Sequence, residues 1–468
     1  MRFLIVITFQ IFLLNAVLAG QSPATDQADS NVLKFQKLGL SEKCELEPVF
    51  NGKACVYEIN TEAEETVVLV HGLNSHAAGW YEQIKVLKDK YHVVSFDLPG
   101  FGKSSRQNKL YSPTNFAKFV HHVVKKYVDR PFYLIGHSMG GAISLRYSAM
   151  HPEYVKRLIL ADVGGVLHEY AFAKSVAFKW VNWLKKVSYA TIPGLENIPG
   201  MHEIANMVFQ NLEWLPVNIR DALRIPELRN IILNGNSIPI AGAAVSTEDF
   251  SGTIRNNKIP TLIIWGAYDL ITPIRTGRIL ETRMPNAYLE VLSRSAHSTM
   301  SDQPTEFNNL VLAHLNEDDD DLEEKYWQFS EFEKSERVGV CENELEKIFE
   351  GNYLRIELTN CKRVIIRNAN IGSLVSKNSN VEIEKSQFVT KDIAMVLFDS
   401  TLYATGVNIT AGIAAQTVHS HVDFAGVDFR VDDMTINNLG NSNAVFSVST
   451  VNGANLHAYQ DLTLAKRY

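Results

Sequence analysis

Between about residues 65 and 316 the chain alternates short apolar runs with stretches of helical periodicity. The runs 67–70, 93–96, 132–135, 158–160 and 262–265 are apolar at nearly every position, as strands covered on both faces must be, and 289–292 is a sixth, interrupted by Glu290. Ser112 and Pro113 read as N-cap and first helical residue, followed by Phe116, Phe119, Val120, Val123, Val124 and Tyr127 at helical spacing. Such alternation predicts an α/β domain, a mostly parallel sheet wound with helices on both sides. The rhythm breaks between Gly165 and Pro260. There Phe172, Phe178, Trp180, Trp183, Met201 and Trp214 predict an inserted helical cap, placed at 166–255.

Further along, the texture changes to an all-β pattern. Val364, Ile366, Ala369 and Ile371 stand at i, i+2, i+5 and i+7. The same spacing returns at Val381, Ile383, Ser386 and Phe388, at Leu402, Ala404, Val407 and Ile409, and at Val422, Phe424, Val427 and Phe429. A strand-like repeat near twenty residues, with Asn, Ser and Gly at its corners, predicts a short right-handed parallel β-helix; a small β-sandwich is the alternative. The expected order is a signal peptide at 1–20, a linker at 21–39, the α/β domain at 40–316, an acidic linker at 317–335 and the repeat domain at 336–468.

Charge and the N-terminus narrow the function classes. Lys and Arg total 45 against 52 Asp and Glu, and the stretch 317–324 alone holds seven of the acids, so the remainder is neutral. A neutral remainder argues against nucleic acid as a partner, because phosphate binding needs a clustered basic face. Met1 and Arg2 precede the apolar stretch 3–18 and the small residues Ala16, Ala19 and Gly20, the layout of a secretory signal peptide. That stretch falls short of the roughly 20 residues a bilayer span needs, and no later run is longer, so a secreted or periplasmic protein is expected. Cys44, Cys55, Cys341 and Cys361 lack metal or redox spacing and read as two local disulfides of an exported chain. A tight turn at Asn51 and Gly52 would set Cys44 opposite Ile59, so the first bridge requires a bulge or a wider loop. On the β-helix reading, Cys341 and Cys361 fall on neighbouring coils. Asn408 begins an N-x-T acceptor, relevant only in a eukaryote.

The chemistry concentrates at Gly136, His137, Ser138, Met139 and Gly140, a G-x-S-x-G that follows an apolar run and opens a helical one. A strand turning abruptly into a helix strains Ser138 and exposes its hydroxyl. A serine hydroxyl needs a base to take its proton, and the base needs a carboxylate to fix its tautomer. Asp269 lies just past the run 262–265 and His297 past the next, in the order Ser, Asp, His; Asp162 competes as the acid. The backbone amides of Met139, at the helix start, and Leu73, in the loop after 67–70, are the expected oxyanion donors. His71 reads as a loop-ordering side chain. Residues 97–104 mimic a phosphate loop, with Asp97 where glycine is required, and read as a turn.

Together His71 and Gly72, residues 97–104, Gly136 to Gly141, Trp265 to Asp269, and Ala296 with His297 resemble the α/β-hydrolase superfamily over residues 55–316. That resemblance implies an eight-stranded sheet, a cap after the sixth strand, and a hydrolase using Ser138, Asp269, His297 and the amides of Met139 and Leu73, with no cofactor and no metal. It points to an esterase or lipase-like enzyme acting on a small or lipid-like ester; amides, lactones, thioesters and carbon–carbon bonds stay open. Activity is expected to rise with pH through about 6 to 7 as the imidazole becomes neutral. The repeat domain is not a usual companion. It reads as a module for surface or glycan contact, whose removal at residue 325 would spare turnover of soluble esters. A non-catalytic binding protein on a hydrolase scaffold is the other class.

Overall fold

The computed structural model describes residues 33, 35–106, 110–168, 171, 237–452 and 454–455. The expected signal peptide and most of the inserted cap lie outside these residues. The first sheet has eight strands in the order β1-β2-β4-β3-β5-β6-β7-β8. They are β1 (Ser41–Glu47), β2 (Gly52–Ile59), β3 (Thr66–Val70), β4 (His92–Asp97), β5 (Phe132–His137), β6 (Val155–Ala161), β7 (Thr261–Gly266) and β8 (Ala287–Leu292). From β3 to β8 all pairing is parallel, while β1 with β2 and β2 with β4 pair antiparallel. Val67 to Val70 and Leu158 to Ala161 are fully buried, which is why they show no alternation in sequence.

The helices bearing on the site are α1 (Tyr81–Leu87), α2 (Pro113–Tyr127), α3 (Met139–Met150), α4 (Ser237–Thr247), α5 (Ser251–Asn256), α6 (Ile274–Arg283), α7 (Thr299–Asp302), α8 (Pro304–Asn316) and α9 (Asp319–Glu323). At the start of α2 the Ser112 hydroxyl accepts the Asn115 N–H at 3.2 Å and Pro113 takes the first turn. In the first hairpin a four-residue loop, with Asn51 at φ 52°, brings Cys44 directly opposite Cys55. Their disulfide therefore forms with no bulge, and a second joins Cys341 to Cys361 with Cα atoms 6.4 Å apart.

The C-terminal domain is all strand: β9 (Val338–Glu342), β10 (Lys347–Thr359), β11 (Val364–Lys377), β12 (Asn380–Glu384), β13 (Gln387–Val389), β14 (Ile393–Phe398), β15 (Thr401–Val418), β16 (His421–Asn438), β17 (Asn443–Ser447), β18 (Thr450–Val451) and β19 (Ala454–Asn455). Pairing is parallel except between β18 and β19. Val364 pairs with Val381, Val381 with Leu402, and Leu402 with Val422, so the sequence repeat is a stacking register. Its i, i+2, i+5 and i+7 side chains fill a closed interior that includes Ile366, Phe388, Ile409 and Phe424. The residue at i+4 turns each corner with positive φ: Asn368, Lys385, Gly406 and Gly426. Serines knit the coils together, because the hydroxyls of Ser379, Ser400 and Ser420 accept the backbone N–H of Cys361, Ser379 and Ser400.

The acidic stretch packs on both domains. Leu322 of α9 is buried in the core beneath the first sheet, Trp327 N–H reaches Ala287 O, and Gln387 Nε2 donates to Ser330 O. Helix α6 packs on β7 and β8 on one side and on β15 and β16 on the other. Arg283, at its end, donates to Asp428 Oδ2 at 2.9 Å, Gly426 O at 2.6 Å and Val407 O at 2.8 Å. Its side chain is only 4% exposed, so losing it takes a buried donor away from the Gly426 and Val407 carbonyls and from Asp428. Arg283→Met is expected to lower stability by about 3 kcal/mol, read as a reduced calorimetric melting temperature; an unchanged transition would show that these bonds contribute nothing net.

Candidate active site

Ser138 sits where β5 turns into α3, with φ 54° and ψ −119°, a backbone conformation costly for any residue but glycine. The turn is that sharp because neighbouring backbones crowd it. A Cβ on Gly136 would lie 2.4 Å from Gly140 O, and one on Gly140 would lie 2.2 Å from Val70 O. Ser138 N–H donates to Ala161 O at 2.8 Å, and Ala142 N–H closes the first helical turn onto Ser138 O at 3.1 Å. The hydroxyl is left half-buried at the carboxyl ends of the strands.

The structure brings Ser138, His297 and Asp269 together in one line. His297 Nδ1 lies 2.9 Å from Asp269 Oδ2, and His297 Nε2 lies 2.9 Å from Ser138 Oγ. The carboxylate can only accept, so Nδ1 carries the proton and Nε2 offers its lone pair to the serine O–H. Burial pushes the imidazole pKa down, but the Asp269 charge and hydrogen bond outweigh it, and the net shift is upward from 6.5. Burial likewise acts to raise Asp269, and the opposing charge of His297 with its donors brings it below 3.8.

Asp269 is held from four directions. Oδ1 accepts the N–H of Ile271 at 2.7 Å and of Thr272 at 2.9 Å, while Oδ2 accepts the Thr272 hydroxyl at 2.5 Å besides the imidazole. Thr272 Oγ1 also stands 3.2 Å from His297 Nδ1. Sequence reasoning missed Thr272, whose only signal is its place three residues after an acid just past a strand. It missed too that His137 Nε2–H donates to the backbone O of His297 at 2.6 Å, fixing the height of the base over the elbow. Burial, and then the nearby His297, holds His137 at a pKa of about 3, so it stays neutral.

The competing acid stands apart from the imidazole's hydrogen bonds. Asp162 Oδ1 accepts the Gly266 N–H at 2.9 Å and Oδ2 the Thr299 hydroxyl at 2.8 Å, linking the ends of β7 and α7. Full burial, and next the Asp269 charge, raises its pKa to about 8, so it is protonated at neutral pH. Met139 is the first residue of α3, where helical N–H groups have no intrahelical partner. Leu73 lies on the loop after β3, whose Gly72 approaches so closely that a Cβ there would sit 3.1 Å from Ser138 Cβ. His71 orders that loop: Nδ1–H donates to Gly72 O at 2.8 Å and Nε2 accepts the Leu98 N–H at 3.0 Å. Residues 97–104 form a turn in which Asp97 accepts the N–H groups of Ala77 and Lys103, both at 2.8 Å.

Residues 65–304 match the model of the alpha/beta hydrolase fold family. The chain belongs to that family. Among curated relatives of this α/β hydrolase, 2-hydroxy-6-oxo-6-phenylhexa-2,4-dienoate hydrolase of Burkholderia cepacia is 30% identical over 54% of this chain and 87% of its own. Monoacylglycerol lipase ABHD6 of Rattus norvegicus is 28% identical over 53% of this chain and 75% of its own. A solved structure, the meta-cleavage product hydrolase from Pseudomonas fluorescens IP01, aligns with 60% of this chain and 99% of its own at 22% identity and TM-score 0.41. Family and relatives make this α/β hydrolase a hydrolase.

The two acids separate in an imidazole titration followed by NMR. With Asp269→Asn burial is left to dominate, and the His297 pKa is expected to fall below 6.5; with Asp162→Asn it is expected to stay above. The reverse ranking would exchange their roles.

Proposed function

We propose that this chain is an exported serine hydrolase of carboxylic esters. The observation that supports it is the unbroken hydrogen-bonded line from Asp269 through His297 to Ser138. In this reading Ser138 Oγ attacks the ester carbonyl carbon while its proton passes to His297 Nε2, and the oxyanion accepts the N–H groups of Met139 and Leu73. The imidazolium then gives its proton to the departing alcohol, leaving an acyl-enzyme. Water repeats the sequence, losing a proton to His297 and releasing the acid and Ser138. Asp269 keeps Nδ1 protonated and stabilises the cation.

Export is supported by the N-terminal pattern and by the two disulfides. Among the described residues no helix is long and apolar enough to cross a membrane. We read the stacked coils as a short parallel β-helix whose outer faces are available for surface or glycan contact. Relatives named for a monoacylglycerol and for a dienoate leave the bond type within the family's hydrolytic chemistry, and the ester reading takes the first.

A fluorophosphonate probe and p-nitrophenyl esters of short and long chain test the reading. Wild type is expected to be labelled at Ser138 and to turn over ester, and Ser138→Ala to lose both, with kcat reduced by about 10⁵–10⁶. Equal labelling of the two proteins rejects it. Asp269→Asn is expected to cost about 10⁴ in kcat, whereas Asp162→Asn, an amide where a protonated acid already stands, costs less than about 10-fold. Because His297 must be neutral to act as base and its pKa is raised, kcat/KM should climb with pH to a midpoint above 6.5. A midpoint below that value would count against the Asp269 partnership.

A further inference from the structure

Helix α6 starts five residues after the Asp269 carboxylate, and its second residue is Arg275. The guanidinium points away from the first sheet, into the C-terminal domain. Nε donates to Thr405 Oγ1 at 2.7 Å, Nη1 to Asp423 Oδ2 at 2.7 Å, and Nη2 to Asp423 O at 2.9 Å and Ala404 O at 3.1 Å. It also lies over the Tyr403 ring, 5.6 Å from the centroid. Every one of these partners belongs to β15 or β16, and the Asp423 side chain is 2% exposed. Charge-assisted bonds of this kind fix the direction of a guanidinium as well as its place.

The segment leading into this helix carries the contacts to the triad. Thr272 bonds Asp269 and reaches His297 Nδ1, Pro273 caps α6 with φ −67°, and Thr276 N–H donates to Pro273 O at 2.8 Å. Only Pro273 and Ile274 separate Thr272 from Arg275, so the segment has little slack. The C-terminal domain is also shaped for this helix. Gly406 and Gly426 turn their corners at φ +59°, and a Cβ on Gly406 would lie 2.4 Å from Thr282 Oγ1, one on Gly426 3.2 Å from Ile279 Cγ2. In the preceding coils the equivalent corners carry side chains, those of Asn368 and Lys385. Ala425, Val445 and Val448 join the core of the α/β domain alongside Trp265, Ile279 and Leu280. His168 N–H and Arg255 add bonds to Ser447 Oγ and Val448 O.

We propose that Arg275 is a positioning residue for the catalytic acid, and that the C-terminal domain, by gripping it, holds the loop 269–273 in register with His297. The proposal rests on the triad reading above. It replaces a detachable targeting module with a brace that the active site depends on.

The test uses the full chain and a soluble p-nitrophenyl ester. Arg275→Ala is expected to lower kcat by about 10–100-fold with KM within about threefold, and to move the pH midpoint of kcat/KM downward as Asp269 loosens from the imidazole. Arg275→Lys recovers part of the loss. Asp423→Asn, on the other domain, shifts kcat and midpoint in the same direction, and its combination with Arg275→Ala is less than multiplicative because both break one contact. Arg283→Met, at the far end of α6, lowers the melting temperature and leaves kcat and midpoint unchanged. Folded Arg275→Ala or Asp423→Asn with wild-type kcat and midpoint overturns the proposal, as does an equal kcat loss in Arg283→Met. If Arg275→Ala does not fold, Asp423→Asn decides alone. Failure of the wild type to be labelled at Ser138 sinks the triad reading itself; labelled wild type with indifferent variants sinks only the brace.

Discussion

A carboxylate sealed from water keeps its charge only if donors replace the solvent, and the site depends on that condition being met at Asp269. Two backbone N–H groups, one hydroxyl and one imidazole meet it. Residue type alone does not separate the two fates: Asp162 is equally enclosed, receives fewer donors, and is pushed towards neutrality by burial and then by its neighbour's charge. The pair shows how two acids in one pocket take different protonation states from their surroundings alone.

Much of the α/β domain was legible because burial on both faces of a parallel sheet erases alternation, leaving short apolar runs such as 67–70 and 158–160 between helical stretches. The elbow was legible for a related reason: crowding at Gly136 and Gly140 forbids side chains, so the steric need is written as glycine. Asp269 and His297 could be found from their places after successive strands. The hairpin register was only half legible, since Asn51 and Gly52 suggest the tightest turn while the chain takes a four-residue loop.

What stayed hidden was contact between distant segments. Nothing in the sequence near Thr272 announces a third partner for the acid and base, and a threonine in a loop has many innocent uses. Arg275 and Arg283 carry no sequence signal of burial, because a buried arginine face has the same pattern as an exposed one; their acceptors lie more than a hundred residues downstream. The repeat was visible, including its unequal spacing of 17, 21 and 20 residues, which the parallel ladder follows pair for pair. That two of its corners are glycine was visible too, but not that a helix rests there.

In a linear stack each coil leans on its neighbours, and a coil at either extremity has one neighbour instead of two, so unravelling starts at the ends. The bond between Cys341 and Cys361 staples the outermost strand, β9, to the turn that follows β10. Fraying from that side is thereby forbidden in an oxidising compartment and permitted in a reducing one. The stack is thus fastened at its β9 end by a covalent staple and along β15 and β16 by a helix borrowed from the α/β domain.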